Sequence, residues 1–296
     1  MKLLTDCGVL RLKPDTAYPR VGSYPGGGSR PRVGSGPSVG FGLSRLVGVA
    51  TLCGVVAAWL LALHVHVDAQ RGGRGAPQPA QQAAPIDLTG YWVSVVTEDW
   101  KLRMVTPPKG VYNTLTLNAE GRRVADTWDP ARDESAGEQC RSYGAGNIMR
   151  VPGRLHIAWQ DPNTLQIETD AGTQTRLFRF GAQPPVGEPS WQGESAAEWQ
   201  YGPGRRGGGP PPSGSLKVVT TNLRPGYIRK NGAPYSKAAV VTEYYDLNTL
   251  PNKDAWLTVT TKVEDSVYFT RPYITSSDFQ KLPDASGWAP TPCSAR

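Results

Sequence analysis

The sequence predicts an all-β domain, an antiparallel barrel or a closely related sandwich, over residues 86–296. Residues 154–160 and 164–170 alternate apolar and polar side chains on either side of a short polar turn, as in an antiparallel meander. Further stretches rich in β-branched residues recur, separated by Pro, Asn or Gly, at 215–223, 238–247 and 255–265. About 210 residues are enough for one such domain.

Other elements follow from the same patterns. Residues 90–97, 112–117, 173–180 and 191–201 are predicted as strands because they are apolar or alternate with period two. After Asn118 the apolar spacing becomes helical, which predicts one inserted helix of about three turns that ends before Pro130.

An export signal is predicted before the domain. Residues 46–63 form an apolar run without a charged residue, preceded by Arg45. A positive flank, an apolar run and a small-residue exit predict a signal peptide over 45–69, cleaved between Ala69 and Gln70. A permanent signal anchor is the alternative, because a run of this length just spans a bilayer of about 30 Å.

Three segments have compositions that predict no packed structure. Residues 1–44 are rich in Gly, Pro, Ser and Arg, and we expect them to be disordered or to result from a misplaced translation start. Residues 70–85 are predicted as a disordered linker. Residues 202–214, with six Gly and four Pro, are predicted as a flexible surface loop.

The net charge of +7 does not indicate a nucleic-acid partner. Residues 1–69 hold seven of the 32 Lys and Arg and three of the 25 Asp and Glu, so the remainder carries a net charge of about +3. We expect no nucleic-acid partner, and no membrane partner after signal cleavage.

The cysteines support export. Cleavage at residue 69 leaves only Cys140 and Cys293, and two cysteines in an oxidising compartment are expected to pair. The disulfide would close a loop of about 150 residues. The alternative, a reactive thiol, needs a His neighbour that the local sequence does not supply.

Two resemblances extend this interpretation. Gly90-Tyr91-Trp92, at the start of the first strand, resembles the opening motif of lipocalin-type barrels, in which the Gly permits a tight entry and the Trp closes one end. The stretches "SLKVVTTNL", "AVVTEYYDL", "WLTVTTKVEDSVYFTRPYI" and "WAPTPC" resemble a group of exported bacterial β-rich proteins of unassigned activity, over roughly Ile86 to Cys293. The second resemblance implies a fold and a compartment, and no site residues.

Candidate catalytic residues are few. His156 is the only His after residue 69, which excludes a metal site built from several His. Glu168 and Asp170 are predicted on the same side of one strand, where like charges raise one pKa and could support acid–base work; a solvated strand face is the alternative. Nucleophile-elbow, phosphate-loop and dinucleotide motifs are absent from the sequence, and we expect no cofactor.

Eight Trp follow the signal, and most are expected in the core. Trp100, Trp191 and Trp199 lie nearer strand ends and are candidates for ligand contact. The leading functional prediction is non-catalytic binding of a small apolar ligand in the periplasm or outside the cell. The alternatives are an enzyme built around His156 and acidic pairs such as Glu168 and Asp170, and an envelope protein-interaction module.

Overall fold

The structure of the protein is a computed structural model that describes residues 78–184, 186–202 and 213–296. The predictions for residues 1–44, for the signal peptide with its cleavage between Ala69 and Gln70, and for the first part of the linker lie outside the described residues. Most of the loop predicted at 202–214 also lies outside them.

The described residues form eleven strands, three short α-helices and two turns of 3-10 helix. The α-helices are α1 (Trp100–Arg103), α2 (Ala119–Ala125) and α3 (Pro130–Ser135), and the 3-10 turns are Arg141–Tyr143 and Ile148–Arg150. The strands are β1 (Gly90–Val95), β2 (Arg154–Asp161), β3 (Thr164–Thr169), β4 (Gln174–Phe180), β5 (Glu194–Tyr201), β6 (Gly214–Thr221), β7 (Gly226–Arg229), β8 (Ala233–Tyr235), β9 (Val240–Thr249), β10 (Ala255–Glu264) and β11 (Tyr273–Leu282).

Nine strands close into a barrel, which confirms the predicted all-β barrel. Their order is β1-β11-β10-β9-β6-β5-β4-β3-β2, and β1 pairs with β2 to complete the ring. Strands β7 and β8 form a separate two-stranded sheet.

One neighbouring pair departs from the antiparallel pattern that the sequence predicts. Strands β4 and β5 are parallel, with Phe178 opposite Ser195 and Phe180 opposite Ala197. The reason is the connection: residues 181–193 return the chain to the end of the barrel where β4 began, and parallel neighbours need about a dozen residues for such a crossover.

Large side chains fill the barrel interior. Alternate residues of each strand point inward, and a narrow barrel has room only for such side chains. The innermost ones are fully or almost fully buried: Trp92, Ile157, Leu165, Ile167, Phe178, Leu216, Val218, Tyr245, Leu257, Val259 and Phe279.

Both ends of the barrel are covered. At one end, which we call the entry end, the chain leading into β1 packs beneath the strands: Trp92 Nε1 donates to the Leu88 carbonyl (3.0 Å) and Trp199 Nε1 donates to the Ala80 carbonyl (2.9 Å). Residues 78–85, which composition assigns to a disordered linker, are therefore ordered against the barrel, and the domain begins earlier than residue 86. Half-buried contacts such as the bond from Trp199 to Ala80 outweigh the local Gln/Ala/Pro composition.

The opposite end, which we call the helical end, is covered by α2, the β7–β8 sheet and a second apolar cluster. The predicted helix is confirmed as α2, whose Asn118 side chain accepts from the Gly121 N–H (2.8 Å). It is shorter than the predicted three turns, and a second helix begins at Pro130, which occupies the first turn behind the capping Asp129.

The prediction of a strand at residues 112–117 is wrong. These residues form turns, and Leu117 makes only an isolated bridge to Phe269. Their apolar side chains are buried because Tyr112, Leu115 and Leu117 pack into the cluster of the helical end, so packing rather than strand pairing accounts for the apolar pattern.

The predicted disulfide is confirmed. Cys140 and Cys293 are bonded, with their Cα atoms 5.1 Å apart. The bond joins the segment after α3 to the C-terminal tail, which Asp170 also holds through its carbonyl, bonded to the Thr291 N–H (2.8 Å).

Candidate functional site

An ion pair lies inside the barrel. Arg176 donates from Nη1 and Nη2 to the two carboxylate oxygens of Glu243 (2.9 and 2.7 Å), and both side chains are fully buried. Thr220 and Tyr245 complete the group through bonds to Arg176 and Glu243. Burial opposes the charge on Arg176, but the contact with Glu243 raises the pKa of Arg176 above its usual value. A charge pair sealed from solvent has no route to a substrate.

A second buried polar group joins α3 to the β7–β8 sheet. Tyr227 donates its hydroxyl to Asp133 (2.8 Å), and Arg141 donates to both Tyr227 (3.2 Å) and Asp133 (3.1 Å). Burial and the bond to Asp133 raise the pKa of Tyr227. Burial also raises the pKa of Tyr235 and Tyr245.

These tyrosines predict loss of stability at alkaline pH. An unfolded tyrosine loses its proton near pH 10, whereas Tyr227, Tyr235 and Tyr245 keep theirs in the folded state, so the folded state binds more protons above about pH 10. The free energy of unfolding should then fall as pH rises, by up to about 1.4 kcal/mol per pH unit for each tyrosine. Urea unfolding at several pH values measures this slope, and Tyr227→Phe should reduce it. Equal stability at about pH 9 and pH 11 would contradict the assignment.

The structure brings His156 and Glu168 together but leaves Asp170 apart from them. His156 Nδ1 lies 2.9 Å from Glu168 Oε2, because the two residues face each other across β2 and β3. Both lie on the outer surface of the barrel, where Tyr91 stacks on the His156 ring (4.4 Å between centroids) and Trp288 meets it edge-on.

Asp170 lies beyond the end of the strand and contacts Arg154, whose Nη1 is 3.7 Å from its carboxylate. Strand β3 ends at Thr169, the chain turns, and the Asp170 carboxylate is buried against the Arg154 N–H (2.6 Å). The acid–base site predicted from His156, Glu168 and Asp170 is therefore not assembled as one cleft, and the His156–Glu168 pair is an outer-surface contact.

The three candidate Trp occupy three separate places. Trp199 packs with Trp159 and Phe180 near the entry end. Trp191 lies beneath the guanidinium of Arg224, 4.4 Å from its ring centroid. Trp100, the first residue of α1 at the helical end, is 58 % exposed.

Trp100 borders an open depression of about 520 Å³, which we call the Trp100 depression. Its walls are Ser94, Val96, Trp100, Met104 and Pro152. Met104 is 59 % exposed. The walls are therefore mainly apolar, and two large side chains stand out from the protein beside the depression.

A charged cleft adjoins this depression, and the two share Pro152. We call it the arginine cleft; it is lined by Arg103, Arg150, Arg229 and Lys230 together with Leu102, Asn147, Val151, Pro152 and Ile228. None of its cations stands out in the sequence, since they come from three distant segments.

Acidic residues next to the cleft hold two of its cations in place. Glu98 accepts from Arg103 (2.8 Å) and Asp99 accepts from Arg150 (3.1 Å). Arg103 also donates from Nε to the Arg150 carbonyl (3.0 Å). The Glu98-Asp99 pair thus serves to position arginines.

Comparison with family models, with curated proteins and with solved structures gave no match to this chain. The resemblances to lipocalin-type barrels and to the exported β-rich group therefore stay predictions.

None of the helices at 78–184, 186–202 or 213–296 is long and apolar enough to cross a membrane. Within the same ranges, no three His, Cys, Asp or Glu side chains come together as a metal site.

Proposed function

We propose that this chain is an exported, lipocalin-like barrel domain that binds a small apolar molecule without catalysing a reaction, in the periplasm or outside the cell. The binding site in this proposal is the Trp100 depression, not the interior of the barrel. Side chains such as Trp92, Phe178 and Tyr245 occupy the interior, which leaves the outer surface for a ligand.

One observation carries the proposal: Trp100 and Met104 are more than half exposed beside a concave apolar surface. Exposed apolar side chains that cluster around a depression are typical of binding sites. The volume of about 520 Å³ lies within the range of small-molecule sites, about 300–1,000 Å³. A protein partner would need about 800 Å² of contact surface, and the five residues that line the depression offer much less.

The disulfide supports the compartment. Disulfides persist in oxidising compartments such as the periplasm and the cell exterior, and Cys140 and Cys293 are bonded. This agrees with the signal peptide predicted at 45–69.

Binding of the neutral dye N-phenyl-1-naphthylamine tests the proposal. We expect the dye to bind wild type, dodecanol to displace it, and Trp100→Ala to weaken both affinities about tenfold or more, because a Trp at a binding centre contributes strongly. Leu250→Ala is the matched control, since Leu250 is an exposed apolar residue in the turn between β9 and β10 at the entry end. No binding to wild type, or equal losses in both variants, would overturn the proposal.

A further inference from the structure

The arginine cleft holds more positive charge than its surroundings balance. Four cations line it, and among the described residues no Asp or Glu does. Three carboxylates lie close enough to act on Arg103, namely Glu98, Asp99 and Asp278. The cleft therefore keeps an excess of positive charge, and an anion that entered it would be attracted.

Two guanidinium nitrogens at the cleft have no hydrogen-bond partner among the described residues. They are Nη2 of Arg103 and Nη1 of Arg150, and Glu98 Oε1 lies 3.8 Å from the latter. Both side chains are more than nine-tenths buried. A buried N–H without an acceptor is costly, and a charged one more so. An oxyanion that reached Arg103 and Arg150 from the cleft they line would supply the missing acceptor.

The cations also act on one another. Burial lowers the pKa of Arg103, and the nearby charge of Arg150 lowers it further against the opposing effect of Glu98. Burial lowers the pKa of Arg229 too, and Arg150 again contributes. A bound negative charge would relieve this repulsion.

The size of the cleft selects the acceptor. Its volume is about 20 Å³, which holds about one water-sized group. One oxygen of a carboxylate or phosphate fits this space, whereas the rest of the molecule has to lie outside. Pro152 is a wall of both the cleft and the Trp100 depression, so the remainder of a bound molecule would lie on Trp100 and Met104.

We propose that the ligand of the Trp100 depression is an amphipathic anion whose oxyanion headgroup binds Arg103 and Arg150 in the arginine cleft while its apolar part covers Trp100. This inference rests on the proposed function and narrows its ligand class. Oxyanions bound to guanidinium groups form charge-assisted hydrogen bonds, which are stronger than neutral ones.

Three ligands of equal chain length test the headgroup, namely dodecanoate, dodecyl phosphate and dodecanol, each measured by displacement of N-phenyl-1-naphthylamine. We expect each anion to bind at least about tenfold more tightly than dodecanol. The comparison between the two anions shows which oxyanion the cleft prefers. In Arg150→Gln this advantage should disappear.

Two further variants keep the test decisive. Lys230→Gln removes a half-buried cation of the cleft and should reduce the advantage of the anions. It replaces Arg150→Gln as the test if that variant fails to fold. Arg123→Gln removes the same charge from the exposed face of α2, and it should leave the advantage intact. Equal affinities for dodecanol and the anions in wild type would overturn the inference but leave the proposed function standing; no binding of any of the three would overturn both.

Discussion

Arg176→Met is expected to lower the free energy of unfolding by about 3–5 kcal/mol, because it leaves the Glu243 carboxylate buried inside the barrel without its partner. Arg176 supplies the donors for both oxygens of Glu243, and neither side chain reaches solvent. What remains for Glu243 is the Tyr245 hydroxyl, at 3.3 Å. Urea denaturation followed by circular dichroism measures the change.

The double variant Arg176→Met with Glu243→Leu separates the cost of an unpaired charge from the cost of losing the pair. Apolar residues of similar volume often replace a buried ion pair without loss, so the double variant should recover most of the stability. The exposed pair Lys217–Glu198 provides the surface control, since Lys217→Met should cost less than about 1 kcal/mol. If Arg176→Met unfolds at the same urea concentration as wild type, the ion pair does not hold the barrel as inferred.

The meander of β2 to β4 could be predicted because each strand shows its inward face in the sequence. Leu155 and Ile157 alternate with polar residues, as do Leu165 and Ile167, and all four are buried in the barrel. Arg176 stands on the same side of β4 as Phe178, so the pattern also indicated an inward charge. It did not indicate that Glu243 is the partner of this charge.

Strand β11 was not predicted, because polar residues take inward positions. Ser277 is buried between the buried Tyr273 and Phe279, so the strand lacks an apolar alternation. Its identity as a strand comes from its neighbours, since it pairs with β10 on one side and with β1 on the other. Closure of the ring, rather than local preference, fixes this element.

The candidate site depends still more on the tertiary fold. Arg103 follows β1, Arg150 precedes β2, and Arg229 ends β7; only the covering of the helical end brings the three together. Trp100 could be identified as a candidate because it lies near a strand end, whereas the arginines could not, because no spacing in the sequence connects them. The same limit applies to Asp170: it is buried against Arg154 beyond the end of β3, and the alternating pattern carries no signal for that end.

Removing the disulfide should have an effect as large as breaking the ion pair. Cys140 and Cys293 are 153 positions apart, and the loop they close contains every strand from β2 to β11. In the chain-entropy model, closing a loop of this length stabilises the folded state by about 4–5 kcal/mol. We expect the variant with Cys140→Ser and Cys293→Ser to lose about this much in urea unfolding.

The reduced wild type is the matched control, because it lacks the bond but keeps both cysteines. Its unfolding curve in a reducing agent should coincide with that of the double variant, and the agent should not affect the double variant. The barrel itself should persist in both, since its strands pair independently of the tail, and Thr291 still bonds to the Asp170 carbonyl. The bond acts on the unfolded chain, which gains far more conformational freedom than the folded one when the link is cut. Equal unfolding midpoints for oxidised wild type and the double variant would show that the bond contributes no stability.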